Sequence, residues 1–218
     1  MFKSTWSNTP IVAVSFDLFG TLVSVDRPAS PADAVAAELE RRGVEIPAAF
    51  PADYCEVQID APEGAEVPLP AHVAAALRSR GVTPSNNIVR RAVVAAFDPN
   101  VETRPGAVEA VTAAAKHSRV GVLSNCSVPE LVPRTLLRSD IDRSTLDVIL
   151  SSAGCGWRKP DPRAFEAFAS KIGVDVEQVI HIGDDPGADG GIEAVGGTAI
   201  VLDEHSIEDL PELLEAEV

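Results

Sequence analysis

Residues 11–22 run Ile11-Val12-Ala13-Val14-Ser15-Phe16-Asp17-Leu18-Phe19-Gly20-Thr21-Leu22. The first six read as a short buried strand, apolar and partly β-branched. The strand is expected to end at Asp17, where Gly20 and Thr21 open a polar, flexible loop. A buried strand that hands a carboxylate to its carboxyl end is the pattern that organises the rest of the chain.

The pattern recurs beyond Asp98-Pro99-Asn100, where helix and strand signals alternate. Helices are expected over 106–117, 129–138, 162–172, 190–195 and 207–215. Strands are expected over 119–123, 147–150, 178–182 and 198–202. Such alternation predicts an α/β fold, a Rossmann-like parallel sheet with helices on both faces. In that architecture ligands sit at the carboxyl ends of the strands, near the switch in strand order.

Residues 25–100 have another texture. Helices are expected over 31–42, 71–80 and 84–97, each bounded by Pro or Gly, while 47–70 is proline-rich and has no clear assignment. No convincing strand stands between Asp26 and Asn100. The segment reads as a small α-helical domain of residues 25–100, inserted into a core of residues 1–24 and 101–218.

Composition narrows the function. The 218 residues are 45% hydrophobic, which suits a globular chain. No apolar run approaches the ~20 residues that span a bilayer, and the short run at 11–14 is no secretory h-region. A cytoplasmic location is therefore expected. Acidic residues number 33 against 18 basic ones, a net charge of −15, which argues against nucleic-acid or anionic-membrane partners. The basic set holds 14 Arg and 4 Lys. This balance suits either a salt-adapted source or an ordinary acidic protein. Cys55, Cys126 and Cys155 are scattered, with no disulfide or zinc spacing, and read as small buried hydrophobes.

The strand ends collect the chemistry. The first delivers Asp17 and Thr21, the second Ser124 and Asn125. The third is followed by Arg158-Lys159-Pro160-Asp161-Pro162, the fourth by Gly183-Asp184-Asp185-Pro186-Gly187-Ala188-Asp189. Singly these residues have ordinary uses: Asp161 as a helix N-cap, Lys159 as a surface cation, Asp184-Asp185 as a turn. Converging on one sheet edge, they suit displacement at a polyanionic centre: a carboxylate attacks, a carboxylate-bound cation offsets charge, and a Lys and a hydroxyl hold the transferring group.

The segment 17–22 resembles the first motif of the haloacid dehalogenase superfamily, Asp-x-x-Gly-Thr-Leu. Leu123-Ser124-Asn125 resembles the second motif, Lys159-Pro160-Asp161 the third, and Gly183-Asp184 with Asp189 the fourth. The helical segment lies where that superfamily places its small cap. The resemblance implies a hydrolase with Asp17 as nucleophile. Thr21 and Ser124 would hydrogen-bond the nucleophile's surroundings and a phosphoryl oxygen, Lys159 would neutralise developing charge, and Asn125 belongs to the same catalytic set. It also implies Mg2+ bound by Asp17, the Phe19 carbonyl and Asp184, with Asp189 or Asp185 supporting the metal from behind those ligands.

One position departs from the family's phosphatases, which carry a second Asp two residues after the nucleophile. Here that position is Phe19, which has no proton to give; general acid–base help is worth ~10²–10⁴-fold. The family's dehalogenases place an aromatic there, but they work without metal and usually have Ser and Asn where this chain has Asp184 and Asp185. The expected activity is Mg2+-dependent hydrolysis of a small phosphate ester. The alternatives are a metal-free 2-haloacid dehalogenase and a catalytically weak phospholigand-binding protein. The helical segment holds seven Arg (Arg27, Arg41, Arg42, Arg78, Arg80, Arg90 and Arg91), some of which could face an acidic substrate.

Overall fold

The computed structural model describes residues 13–202 and 206–216. Ile11 and Val12, the expected start of the first strand, lie outside the described residues. The chain opens with β1 (Ala13–Phe16) and β2 (Val23–Val25). Four helices follow: α1 (Pro31–Glu40), α2 (Phe50–Cys55), α3 (Leu69–Ser79) and α4 (Asn86–Ala96). Next come β3 (Val101–Thr103), α5 (Ala107–Ala115), β4 (Arg119–Ser124) and α6 (Leu131–Leu136). Then β5 (Val148–Ser151), α7 (Ser152–Cys155), α8 (Pro162–Ile172) and β6 (Val179–Gly183). The chain closes with α9 (Pro186–Asp189), β7 (Thr198–Val201) and α10 (Leu210–Ala216).

Five strands form one parallel sheet in the order β5-β4-β1-β6-β7. The order reverses at β1, which puts Asp17 at the switch point where α/β sheets bind ligands. Two apolar layers cover the sheet. Val14 and Phe16 of β1 join Val122, Ile180 and Ile182 in the layer that holds α5, α6 and α10. Ala13 and Val179 face the other way, onto Phe165, Phe168 and Ile172 of α8. This is the period-two alternation of a strand buried on both faces. The fold is the expected α/β sheet with helices around it.

The structure corrects the sequence reading at the edges of the helical segment. β2 and β3 pair antiparallel, with Val23 opposite Thr103 and Val25 opposite Val101, a ribbon at the root of the four helices. Three-residue strands are too short to show a period. The proline-rich stretch contains α2, with Pro51 in its first turn, where a missing N–H breaks no bond. Segment 64–69 lies along loops next to Lys159. Glu66 N–H donates to the Gly156 carbonyl, Leu69 N–H to that of Ser127, and Arg158 N–H to that of Gly64. Ser152 also donates to the Glu66 carboxylate at 2.6 Å. Among the described residues no helix is long and apolar enough to cross a membrane.

Candidate active site

Asp17 follows β1 directly and is 7% exposed. Its N–H donates to the Ile182 carbonyl at 2.8 Å, which fixes the end of β1 against β6. The chain then curls: Leu22 and Val23 both donate to the Leu18 carbonyl, and Gly20 donates to that of Val23. Gly20 has φ +96°, and a Cβ there would stand 2.3 Å from an Asp184 oxygen. Only glycine both adopts this backbone and lets Asp184 so close. The Arg104 guanidinium donates to the Gly20 carbonyl and secures the turn. Beside it a cavity of about 220 Å³ is walled by Asp17, Phe19, Ser124, Lys159 and Asp184, with Arg27 at its edge.

The second and third strand ends are stapled together by Asn125. Its amide donates to the Lys159 carbonyl at 2.8 Å, and its oxygen accepts from the Lys159 N–H at 2.8 Å. Asn125 thus positions Lys159. Ser124 is 1% exposed, and its hydroxyl stands beside the Asp17 carboxylate without closing a hydrogen bond. A buried, unpartnered hydroxyl on a cavity wall asks for a ligand oxygen.

Lys159 is 3% exposed, and its ammonium donates to Asp17 Oδ1 at 2.8 Å and to Asp189 Oδ1 at 2.5 Å. Asp189 Oδ2 accepts from the Asp185 N–H at 2.9 Å. Gly183 leaves room for this carboxylate, since a Cβ there would lie 2.0 Å from it. Two residues absent from the sequence reading complete the cluster. His181 Nε2 lies 3.0 Å from Asp189 Oδ1 and 3.1 Å from Lys159 Nζ, and its Nδ1 lies 2.5 Å from Ser15 Oγ. Both are fully buried. A signal existed: each is the polar residue inside an otherwise apolar strand.

Burial sets the electrostatics. It pushes the Asp17 carboxyl above its ordinary value, further than the Lys159 charge draws it back. Burial and the Lys159 charge push the His181 imidazole down to about 4, so the ring is neutral at pH 7. Burial opposes the charged form of Asp189 as well. The His181 hydrogen bond and the Lys159 charge outweigh it, and hold this carboxyl well below the usual range.

The family match comes from the sequence itself: the family described as haloacid dehalogenase-like hydrolase matches residues 11–194, most of the chain. The chain belongs to the haloacid dehalogenase-like hydrolases. Phosphatase MT3486 of Mycobacterium tuberculosis (strain CDC 1551 / Oshkosh) is 39% identical over 66 residues, 30% of either protein. The match thus spans under a third of that relative's length. A 2-haloacid dehalogenase from Pseudomonas syringae pv. Tomato DC3000 superposes with TM-score 0.69 at 19% identity, covering 95% of this chain and all of that one. A predicted phosphoglycolate phosphatase from Haemophilus somnus 129pt superposes with TM-score 0.57 at 17% identity, covering 95% of this chain and 99% of its own. At such identities these likenesses show the shared fold.

In this haloacid dehalogenase-like hydrolase all four motifs reach one cavity, and their polar residues engage one another there. Thr21, expected near the nucleophile or a phosphoryl oxygen, donates instead to Asp184 Oδ1 at 2.9 Å. Asp189, expected to support the metal, is engaged by Lys159, His181 and the Asp185 N–H. Asp185 caps α9, accepting from the Gly187 and Ala188 N–H groups. Asp161 caps α8, accepting from the Arg163 N–H. Among the described residues no three His, Cys, Asp or Glu side chains stand close enough to hold a metal. Mg2+ does not require three, because it is commonly bound by one or two carboxylates and keeps several waters. Asp17, Asp184 and the Phe19 carbonyl fit that need: the two acids and Phe19 wall one cavity, and Asp184 lies against Gly20.

Proposed function

We propose that this hydrolase cleaves phosphate monoesters of small molecules through an aspartyl phosphate on Asp17, with Mg2+ at Asp17, Asp184 and the Phe19 carbonyl. The observation that carries the reading is Asp184. It is a carboxylate on the cavity wall, held by Thr21, with no cation partner among the described residues. Lys159, meanwhile, is shared between Asp17 and Asp189. An anionic substrate would meet a net negative wall unless a cation accompanied it. When bound, Mg2+ supplies the Lewis acidity that offsets phosphoryl charge.

The chain's own residues account for the remaining chemistry. Asp17 is the attacking carboxylate, oriented by the Lys159 ammonium on Oδ1. It bonds to phosphorus as the ester P–O bond breaks. Lys159 and the Ser124 hydroxyl stabilise the charge that grows on the phosphoryl oxygens. The leaving oxygen takes its proton from water, because Phe19 stands where an acid would serve. Water then attacks the phosphorus of the aspartyl phosphate, releasing phosphate and restoring Asp17. Residues 25–100 act as a cap, docked through segment 64–69, and Arg27 supplies a guanidinium at the cavity edge for a substrate's acidic group.

A second reading has an observation of its own. Phe19 on the cavity wall suits a leaving group that needs no proton, such as the halide of a 2-haloacid. Turnover of para-nitrophenyl phosphate with and without Mg2+, beside chloride release from 2-chloropropionate, separates the two. The phosphatase reading expects Mg2+-dependent phosphate release that Asp184→Ala abolishes. Metal-independent chloride release would replace it with the dehalogenase reading. Phosphate binding without turnover of either compound would favour a phospholigand-binding protein.

A further inference from the structure

His181 and Ser15 are fully buried and are not among the residues that wall the cavity. A polar pair buried between two sheet layers is costly unless fully hydrogen-bonded. Two neighbours compete for Nε2: Lys159 Nζ at 3.1 Å, which only donates, and Asp189 Oδ1 at 3.0 Å. Lys159 already donates to Asp17 and Asp189, whereas the ionised Asp189 only accepts, so the proton is assigned to the imidazole nitrogen 3.0 Å from Asp189. With Nε2 protonated, Nδ1 is the acceptor, and the Ser15 hydroxyl at 2.5 Å donates to it. In the other tautomer two acceptors would face each other across 3.0 Å. The edge of the Phe165 ring, 5.3 Å from the imidazole between centroids, holds the ring's plane from the α8 side.

We infer that His181, with Ser15 behind it, is a positioning residue: its Nε2–H fixes Asp189, and Asp189 in turn holds the Lys159 ammonium against the nucleophile Asp17. The relay runs Ser15 Oγ–H to Nδ1, Nε2–H to Asp189 Oδ1, and Lys159 Nζ–H to Asp189 and Asp17. Without the first two links Asp189 could rotate away, and Lys159 would lose the anchor opposite Asp17. The inference rests on Asp17 as nucleophile, which the phosphatase and dehalogenase readings share.

Two measurements test it. The first is the imidazole 15N spectrum of the full chain at pH 7, in which only four histidines compete. The expected His181 ring is neutral and protonated on Nε2; protonation on Nδ1, or an imidazolium, overturns the relay. The second compares three variants by kcat and KM on para-nitrophenyl phosphate with Mg2+ and on 2-chloropropionate. Gln places its amide N–H where the ring has Nε2, and Asn places it where the ring has Nδ1. His181→Gln should keep kcat near wild type, while His181→Asn and His181→Leu lose about tenfold or more with KM little changed, the usual scale for an outer hydrogen-bond partner. Equal activity of the Gln and Asn variants at matched melting temperature overturns the inference, since a purely structural role would not tell them apart. If wild type turns over neither compound, the proposed function fails, and the tautomer measurement alone decides this inference. The same spectrum decides it if the variants do not fold.

Discussion

Acid should destabilise this protein through His181 in a definable window. The ring is fully buried, faced by Lys159 and Asp189, with Ser15 from β1 and Phe165 from α8 closing the remaining sides. Its pKa falls from 6.5 to about 4 on folding. The folded-state value is depressed, so below pH 6.5 the unfolded chain takes up a proton that the native ring refuses. Stability is therefore full above the unfolded value and is lost as pH falls towards the folded one. At ~1.4 kcal/mol per pH unit for one proton, the loss across the window is about 3 kcal/mol. For a chain of this size that corresponds to roughly 6–12 °C in melting temperature. Asp189, held well below the usual carboxylate range, stays ionised in the fold and adds to the loss only as pH approaches the ordinary carboxylate range, where the unfolded chain takes up its proton.

Urea unfolding of wild type and His181→Gln from pH 7.5 to 4.5 isolates the effect. Carboxylates away from His181 titrate alike in both proteins and cancel in the difference; Asp189, which His181 touches, enters only near the acid end. Between pH 6 and 5 wild type should lose about 1.2 kcal/mol more than the variant. Parallel curves would mean that the ring already protonates in the fold, and a gap opening the other way would mean a raised pKa. Either result refutes the burial argument.

Two further outcomes are expected. Phe19→Asp places a carboxyl two residues beyond Asp17. It should raise turnover of alkyl phosphates by about an order of magnitude or more while changing para-nitrophenyl phosphate little, because only the alkyl leaving group needs the proton. Equal gains on both, or none, would show that position 19 does not face the leaving oxygen. Gly20→Ala meets Asp184 at 2.3 Å in a positive-φ backbone. It should cost about 1–3 kcal/mol in stability and cut Mg2+-dependent turnover, as read by melting and phosphate release; wild-type values for both would refute the close approach.

The parts of the fold legible in sequence were those with a long enough signal. Helix 162–172 begins at Pro162 and ends before Gly173, and the structure matches it residue for residue. β1, β4, β5 and β6 announce themselves as apolar runs ending in polar residues. β2, β3 and the four-residue α7 and α9 are too short to express any period, and tertiary pairing decides them. At the site, residue types located the cavity but not who bonds whom. That Thr21 turns to Asp184, and Asp189 to Lys159, follows from distances between segments more than a hundred residues apart along the chain for the first pair, and from the chain's return through α9 for the second. Periodicity carries no such information.

The buried polar pair also bears on why the sheet closes in one register. Ser15 and His181 are direct partners in the parallel ladder between β1 and β6. A one-residue slip would turn one of them to the opposite face, leaving a hydroxyl or an imidazole unpaired among apolar side chains. The hydrophobic alternation of β1 alone discriminates weakly, because both faces of the strand are buried and Val14, Phe16 and Ala13 would each find an apolar layer after a slip. The Ser15–His181 bond supplies the missing discrimination. Asp17 lies two residues beyond Ser15, so the bond that fixes register also fixes the face from which the nucleophile leaves the strand. Three residues beyond His181, Asp184 enters the turn that meets Gly20. Strand register and catalytic geometry thus depend on the same two side chains. A double substitution of Ser15 and His181 by apolar residues of similar volume could restore stability without restoring turnover, because it would satisfy the core while leaving Asp189 and Lys159 unanchored.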